Sequence, residues 1–188
     1  FKSKAIAGVG VIFYVMLALR GRLRELGRFE SGLSEPNMAS LLDLIALGTI
    51  ADVVPLDHNN RILVAEGLRR MRAGKARPGI QALLQVAGKN TTALTASDLA
   101  FSVGPRLNAA GRLDDMTTGI ECLLSKHADT AYQLALQLDA MNQDRKQIEA
   151  GMLQQALESL QDAHAEPRAS WTGGTYPARW PPARLVPA

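Results

Sequence analysis

The chain has one cysteine, Cys122, so no disulfide can form within it and the fold must rest on its core and hydrogen bonds. A lone cysteine also fits a reducing compartment, and a cytoplasmic location is expected. Histidine is scarce: His58, His127 and His164 are isolated and show no metal-ligand spacing. No apolar run is long enough to span a membrane. The basic start, Phe1-Lys2-Ser3-Lys4, stands before the apolar stretch Ala5 to Leu19 in the manner of a signal peptide. Gly8, Gly10 and Tyr14 interrupt that stretch and no cleavage site follows, so a signal peptide is not expected. Aromatic residues make up only 5% of the chain, and both tryptophans, Trp171 and Trp180, lie in the last segment.

Excess charge is missing too, once its location is considered. The formal charge is +3, but three of the 21 basic residues, Arg168, Arg179 and Arg184, lie in a final stretch without acids. The other 18 are matched by 18 acidic residues. Nucleic-acid contact must therefore come from local patches and not from overall charge. A dinucleotide fingerprint is also lacking. Gly8 and Gly10 form a lone Gly-x-Gly with Phe13 where a third glycine would stand, and close helix packing explains them better.

What is present is helical pattern. Lys4 to Leu26 reads as a long helix, apolar first and basic later. Phe29 to Pro36 reads as a loop, and Asn37 as the N-cap of a buried helix through Leu47. Pro55 forces a turn. From Asn59 to Ala73, Ile62, Leu63, Leu68 and Met71 are expected to face inward and Arg61, Arg69, Arg70 and Arg72 outward, with Gly74 ending the helix. Pro78 opens another helix. Thr95 with Asp98, and Thr118 with Glu121, match the capping-box pattern. Only Val53-Val54 suggests a strand. A narrow stripe through Ala131, Leu134, Leu138, Met141, Arg145, Ile148, Met152 and Ala156 predicts one long helix suited to a connector. The tail has Pro177, Pro181, Pro182 and Pro187, no hydrophobic period, and the look of a shifted reading frame.

Two runs carry chemistry. Leu47-Gly48-Thr49-Ile50-Ala51-Asp52-Val53-Val54-Pro55-Leu56 sets one carboxylate in an apolar frame. A buried carboxylate needs a partner, which a metal ion, a basic side chain or backbone N–H groups could supply. Gly104-Pro105-Arg106-Leu107-Asn108-Ala109-Ala110-Gly111-Arg112 sets two arginines and an amide among small residues, which suits phosphate recognition. Asp43 needs a structural partner. Asp114 and Asp115 suit helix capping. The basic cluster Arg69, Arg70, Arg72, Lys75 and Arg77 suits either DNA phosphates or a solvated helix face.

With Ala7-Gly8-Val9-Gly10-Val11, Asn59-Asn60-Arg61-Ile62-Leu63, Arg77-Pro78-Gly79-Ile80 and Leu113-Asp114-Asp115-Met116, these runs resemble the RecJ family of bacterial single-strand-specific DNA exonucleases, in the DHH phosphoesterase superfamily. The resemblance covers roughly residues 1–160. Together with the helical pattern it gives a mostly α chain: the later helical part of an α/β DHH domain (residues 1–125) and a long connector helix (126–166), followed by an atypical tail (167–188) that does not share the resemblance and whose composition predicts disorder. It implies 5′→3′ hydrolysis of single-stranded DNA in repair and recombination, with a manganese or magnesium pair. Asp52 would be a metal ligand and catalytic residue, and Arg106, Asn108 and Arg112 would handle the DNA phosphates. The family's other ligands, including its Asp-His-His motif, have no counterpart here, so the chain alone is expected to be inactive. The rival readings are a non-catalytic helical interaction module and a small-molecule DHH phosphatase or cyclic-dinucleotide phosphodiesterase.

Overall fold

The computed structural model describes residues 3–30, 32–113 and 115–165, and all regular structure among them is helical. Val53-Val54 is not a strand. Its place is the turn after a helix, with Val53 at φ 53°. The expected tail, residues 167–188, and Asp114 lie outside the described residues.

Helix α1 spans Gly8–Glu25. Asn37 does act as a cap, its side chain accepting from the Ala39 amide, but the turn it caps is a 3₁₀ segment, Met38–Leu41. Helix α2, Leu42–Ala51, follows it and runs four residues beyond the expected end. Helix α3, His58–Arg72, is capped by Asp57 and closed by Gly74 at φ 69°, a left-handed position that glycine adopts without steric cost. Ile62 is half exposed, contrary to the expected inward face, whereas Leu63, Leu68 and Met71 are buried.

Helix α4, Pro78–Val86, begins at its proline. A short helix α5, Ala96–Asp98, carries the expected reciprocal cap between Thr95 and Asp98. The Thr95 hydroxyl, with help from Lys89, holds the Asp98 carboxyl down to about 2. A π-helical turn, Leu99–Val103, leads into α6, Gly104–Leu113. Helix α7 spans Thr117–Leu124, so Thr118 lies inside the first turn and the expected Thr118–Glu121 box does not form. Asp115 takes that part, accepting from the Thr117 amide and hydroxyl.

The main core gathers α2, α3, α4, α6 and α7 around Leu83, Leu84, Leu94, Leu99 and Val103. Glycines permit two close crossings. A Cβ at Gly67 would lie 2.3 Å from the Leu42 carbonyl oxygen, and one at Gly79 would lie 2.0 Å from that of Cys122. Helix α8, Ala128–Ala165, enters the same core through Ala131, Ala135 and Leu138. The compact unit spans Phe1–Ile148, and a second unit begins at Glu149. In the second unit every described side chain, through Leu160, is exposed.

Candidate functional site

Helix α2 is apolar almost throughout, and its phase decides which carboxylate is buried. Asp43 in its first turn is 1% exposed. It accepts from the Arg77 amide at 2.9 Å and pairs with the Arg77 guanidinium at 3.3 Å. Asp52, the C-cap, is exposed, and its carboxylate has no hydrogen bond or ion pair among the described residues. The expectation that Asp52 is buried is therefore corrected. Burial falls on Asp43, and the Asp52 oxygens are free to take a ligand.

The backbone around Asp52 is well defined. Its amide donates to the Gly48 carbonyl at 3.0 Å, and the Val53 amide donates to that of Ile50 at 3.2 Å. This is a helix end of the left-handed type, with valine where glycine is usual. Thr49, in the same motif, is fully buried, and its hydroxyl lacks a hydrogen-bond partner.

Three helix segments meet at Asp52. Gly48 lets the start of α1 lie against α2, because a Cβ there would be 2.8 Å from Val9 Cγ1. Gly104, at the start of α6, places α6 beside Ala51. The result is an open cleft of about 280 Å³ lined by Gly8, Val9, Gly48, Ala51, Asp52 and Asn108. Close packing accounts for Gly10, whose Cβ would meet Ile6 at 2.6 Å. It does not account for Gly8, which faces open space on the cleft. The first turn of α1 has no side-chain cap, and its Gly10 amide donates to the Ala7 carbonyl at 2.9 Å.

The structure brings together two of the four residues expected at the site, Asp52 and Asn108. Arg112 lies one turn beyond Asn108 on α6, exposed on the same side. Arg106 is turned away from that side. Its guanidinium lies 2.7 Å from Asp139 Oδ1 on α8, without hydrogen-bond alignment, and donates to the Ser102 carbonyl at 2.5 Å. Both side chains are less than a fifth exposed. The Arg106 guanidinium thus bridges α6 and α8.

The basic cluster is likewise engaged. Arg69 pairs with Glu66, Arg70 donates to the Lys75 carbonyl, Arg72 to that of Leu94, and Arg77 to Asp43. His58 and His127 are exposed. Burial pushes the Cys122 thiol up to about 11, which makes it a poor nucleophile or ligand. Among the described residues no three His, Cys, Asp or Glu side chains gather as a metal site. Asp52 and Asn108 offer hard oxygen donors that fit magnesium or manganese as part of a ligand set, with the remaining ligands supplied from elsewhere.

Sequence reasoning does not single out Asn60, although it lies in one of the motifs. It is fully buried and bonds to the backbone of Ala5, which precedes α1, and of Pro55, which follows α2. A polar residue inside an otherwise amphipathic helix is the available signal.

No family model matches the chain. Curated relatives do. The chain is 64% identical over 158 residues to the single-stranded-DNA-specific exonuclease RecJ of Dickeya dadantii, covering 84% of this chain and 27% of that protein. It is 61% identical to RecJ of Escherichia coli over the same shares, and 33% identical to RecJ of Bacillus subtilis over 93% of this chain and 21% of the relative. Among solved structures, RecJ of Thermus thermophilus in complex with Mg²⁺ superposes with a TM-score of 0.69 at 37% identity, covering 82% of this chain and 23% of that one. An exonuclease RecJ bound to manganese superposes with a TM-score of 0.70 at 36% identity, covering 84% and 38%. The chain thus spans about a quarter of the length of the curated relatives it matches.

Proposed function

Because the chain belongs to the RecJ family and spans about a quarter of the length of the relatives it matches, we propose that it forms one wall of the active site of a single-stranded-DNA-specific 5′→3′ exonuclease. The observation that carries this reading is the free, exposed carboxylate of Asp52 in a cleft shared with Asn108. Asp52 would hold Mn²⁺ or Mg²⁺ together with ligands from the rest of the protein. Bound divalent cations supply an activated water and neutralise charge on the displaced oxygen. Asn108 and Arg112 face the DNA backbone, where an amide and a guanidinium hydrogen-bond phosphate oxygens. Arg106 positions α6, and with it those two side chains, through Asp139. The substrate is single-stranded DNA, and the site of action is the cytoplasm, in repair and recombination.

The chain alone, with one metal-binding carboxylate in the cleft, is expected not to release nucleotides from 5′-phosphorylated single-stranded DNA at any manganese concentration. In a full-length protein carrying this segment, Asp52→Ala abolishes hydrolysis and metal occupancy while single-strand affinity in metal-free buffer persists. Arg112→Ala keeps the metal and loses about 1.5–3 kcal/mol of transition-state stabilisation, roughly ten- to a hundred-fold in kcat/KM. Full metal occupancy and near-normal turnover in Asp52→Ala would refute the ligand role. Preference of the full-length protein for cyclic dinucleotides over single-stranded DNA would move it to another branch of the superfamily.

A further inference from the structure

We propose that Asn60 is the positioning residue of the Asp52 cleft, clamping together the two backbone segments that form its walls. The proposal deepens the reading of that cleft and rests on it. Asn60 is fully buried in the first turn of α3. Its Nδ2 donates twice, to the Ala5 carbonyl at 2.8 Å and to the Pro55 carbonyl at 2.8 Å. Both partners are carbonyl oxygens, so the NH₂ end of the side chain must face them, and both of its hydrogens are used. Ala5 lies just before Gly8 and Val9 on one wall. Pro55 lies just after Asp52 on the other.

The neighbouring residues reinforce the same seam. Asp57 Oδ1 accepts from the Asn60 amide at 2.9 Å, and Asp57 Oδ2 accepts from the Ser3 hydroxyl at 2.6 Å. The Tyr14 hydroxyl on α1 donates to Asn59 Oδ1 at 2.6 Å. Residues 57–60 therefore hold the segment entering α1 and the loop leaving α2 as one piece. That loop needs such a hold. Val53 has a left-handed φ of 53°, unusual for a β-branched residue, and it is 86% exposed, so its own packing does not keep the turn in place.

Asparagine is the side chain this position requires. Aspartate has the same shape but no donor, and it would set an oxygen against two carbonyls. Asn60 Oδ1 itself is buried without a partner, so the side chain is held through its NH₂ alone. A group kept buried at the expense of one unpaired atom is kept for what its other end does.

Site-resolved hydrogen exchange on the full 188-residue chain tests this, comparing wild type, Asn60→Asp, Asn60→Ser and the core variant Ile80→Val. In both Asn60 variants the amides of Val53, Asp57 and Gly10 should exchange at least ten-fold faster relative to α4 amides, a change that Ile80→Val does not produce. Asn60→Ser keeps the test open if Asn60→Asp does not fold. Uniform acceleration through α4, or no acceleration at the cleft, would overturn the clamp. In a full-length protein, calorimetry with Mn²⁺ should show roughly ten-fold weaker binding for Asn60→Ser, the scale of an outer-shell defect. Cleft amides that open as expected with Mn²⁺ affinity unchanged would leave the clamp standing and remove Asp52 from the metal.

Discussion

Asp43 and Asp52 stand nine residues apart, and nine helical steps of 100° leave them on opposite faces of α2. That phase separates a buried acid paired with Arg77 from an exposed acid at a cleft. Both acids are visible in the sequence within apolar frames, but their burial is not. Where α2 ends, and which of its faces meets α3 and α4, depend on contacts distant in sequence. Val53 shows the same limit, since two adjacent valines suggest a strand and the structure makes them a helix end. A left-handed conformation costs an L-residue about 1–2 kcal/mol, and glycine brings back roughly 0.5–1 kcal/mol as lost chain entropy. Val53→Gly should therefore raise the chain's thermal midpoint slightly, by about 1–3 °C, because the exposed valine has little packing to lose. A lower midpoint in calorimetry would show that the valine stabilises the turn.

Helix α6 divides its functions by face. Leu107, Ala109 and Ala110 are buried, while Asn108 and Arg112, one turn apart, are exposed on the cleft side. Arg106 lies about 200° around the helix from Asn108, toward α8. The run of small residues is legible as a place of close approach. The partner is not, because Asp139 is on another helix and no local pattern links it to Arg106. The Thr95–Asp98 box is legible because it is wholly local, and the Thr118–Glu121 pattern fails because α7 starts two residues earlier, at Thr117, where Asp115 accepts from the Thr117 amide. A pair this far from solvent costs most when broken on one side. Arg106→Met or Asp139→Leu alone should destabilise the chain by about 1.5–3 kcal/mol, since each leaves a partly buried charge unpaired. The double variant should lose less than the sum of the two. Denaturant unfolding of all four proteins gives the coupling, and strictly additive losses would mean that the two side chains do not interact.

On the scale of the whole molecule, one cysteine and no internal disulfide leave stability to the helical core, and α8 contributes to that core only over its early turns. Ala131, Ala135, Leu138 and Asn142 are buried, whereas Ile148 and Met152 are more than half exposed. The hydrophobic stripe read from the sequence runs through both parts without a break, because periodicity records which face is apolar and not where the neighbouring helices stop. Two truncations distinguish the parts. A chain ending at Ile148 should melt within about 2 °C of the full chain, since it loses no buried residue of the compact unit. A chain ending at His127 should not fold cooperatively, because removing α8 uncovers Cys122 and the core around Leu99. Burying one leucine is worth roughly 1.5–3 kcal/mol, and a domain has only about 5–15 kcal/mol in total. Cys122 reports the difference directly. Buried, with its thiol pushed up to about 11, it should resist iodoacetamide at neutral pH in the longer truncation and react within minutes in the shorter one. Equal protection in both would place the core's boundary before α8.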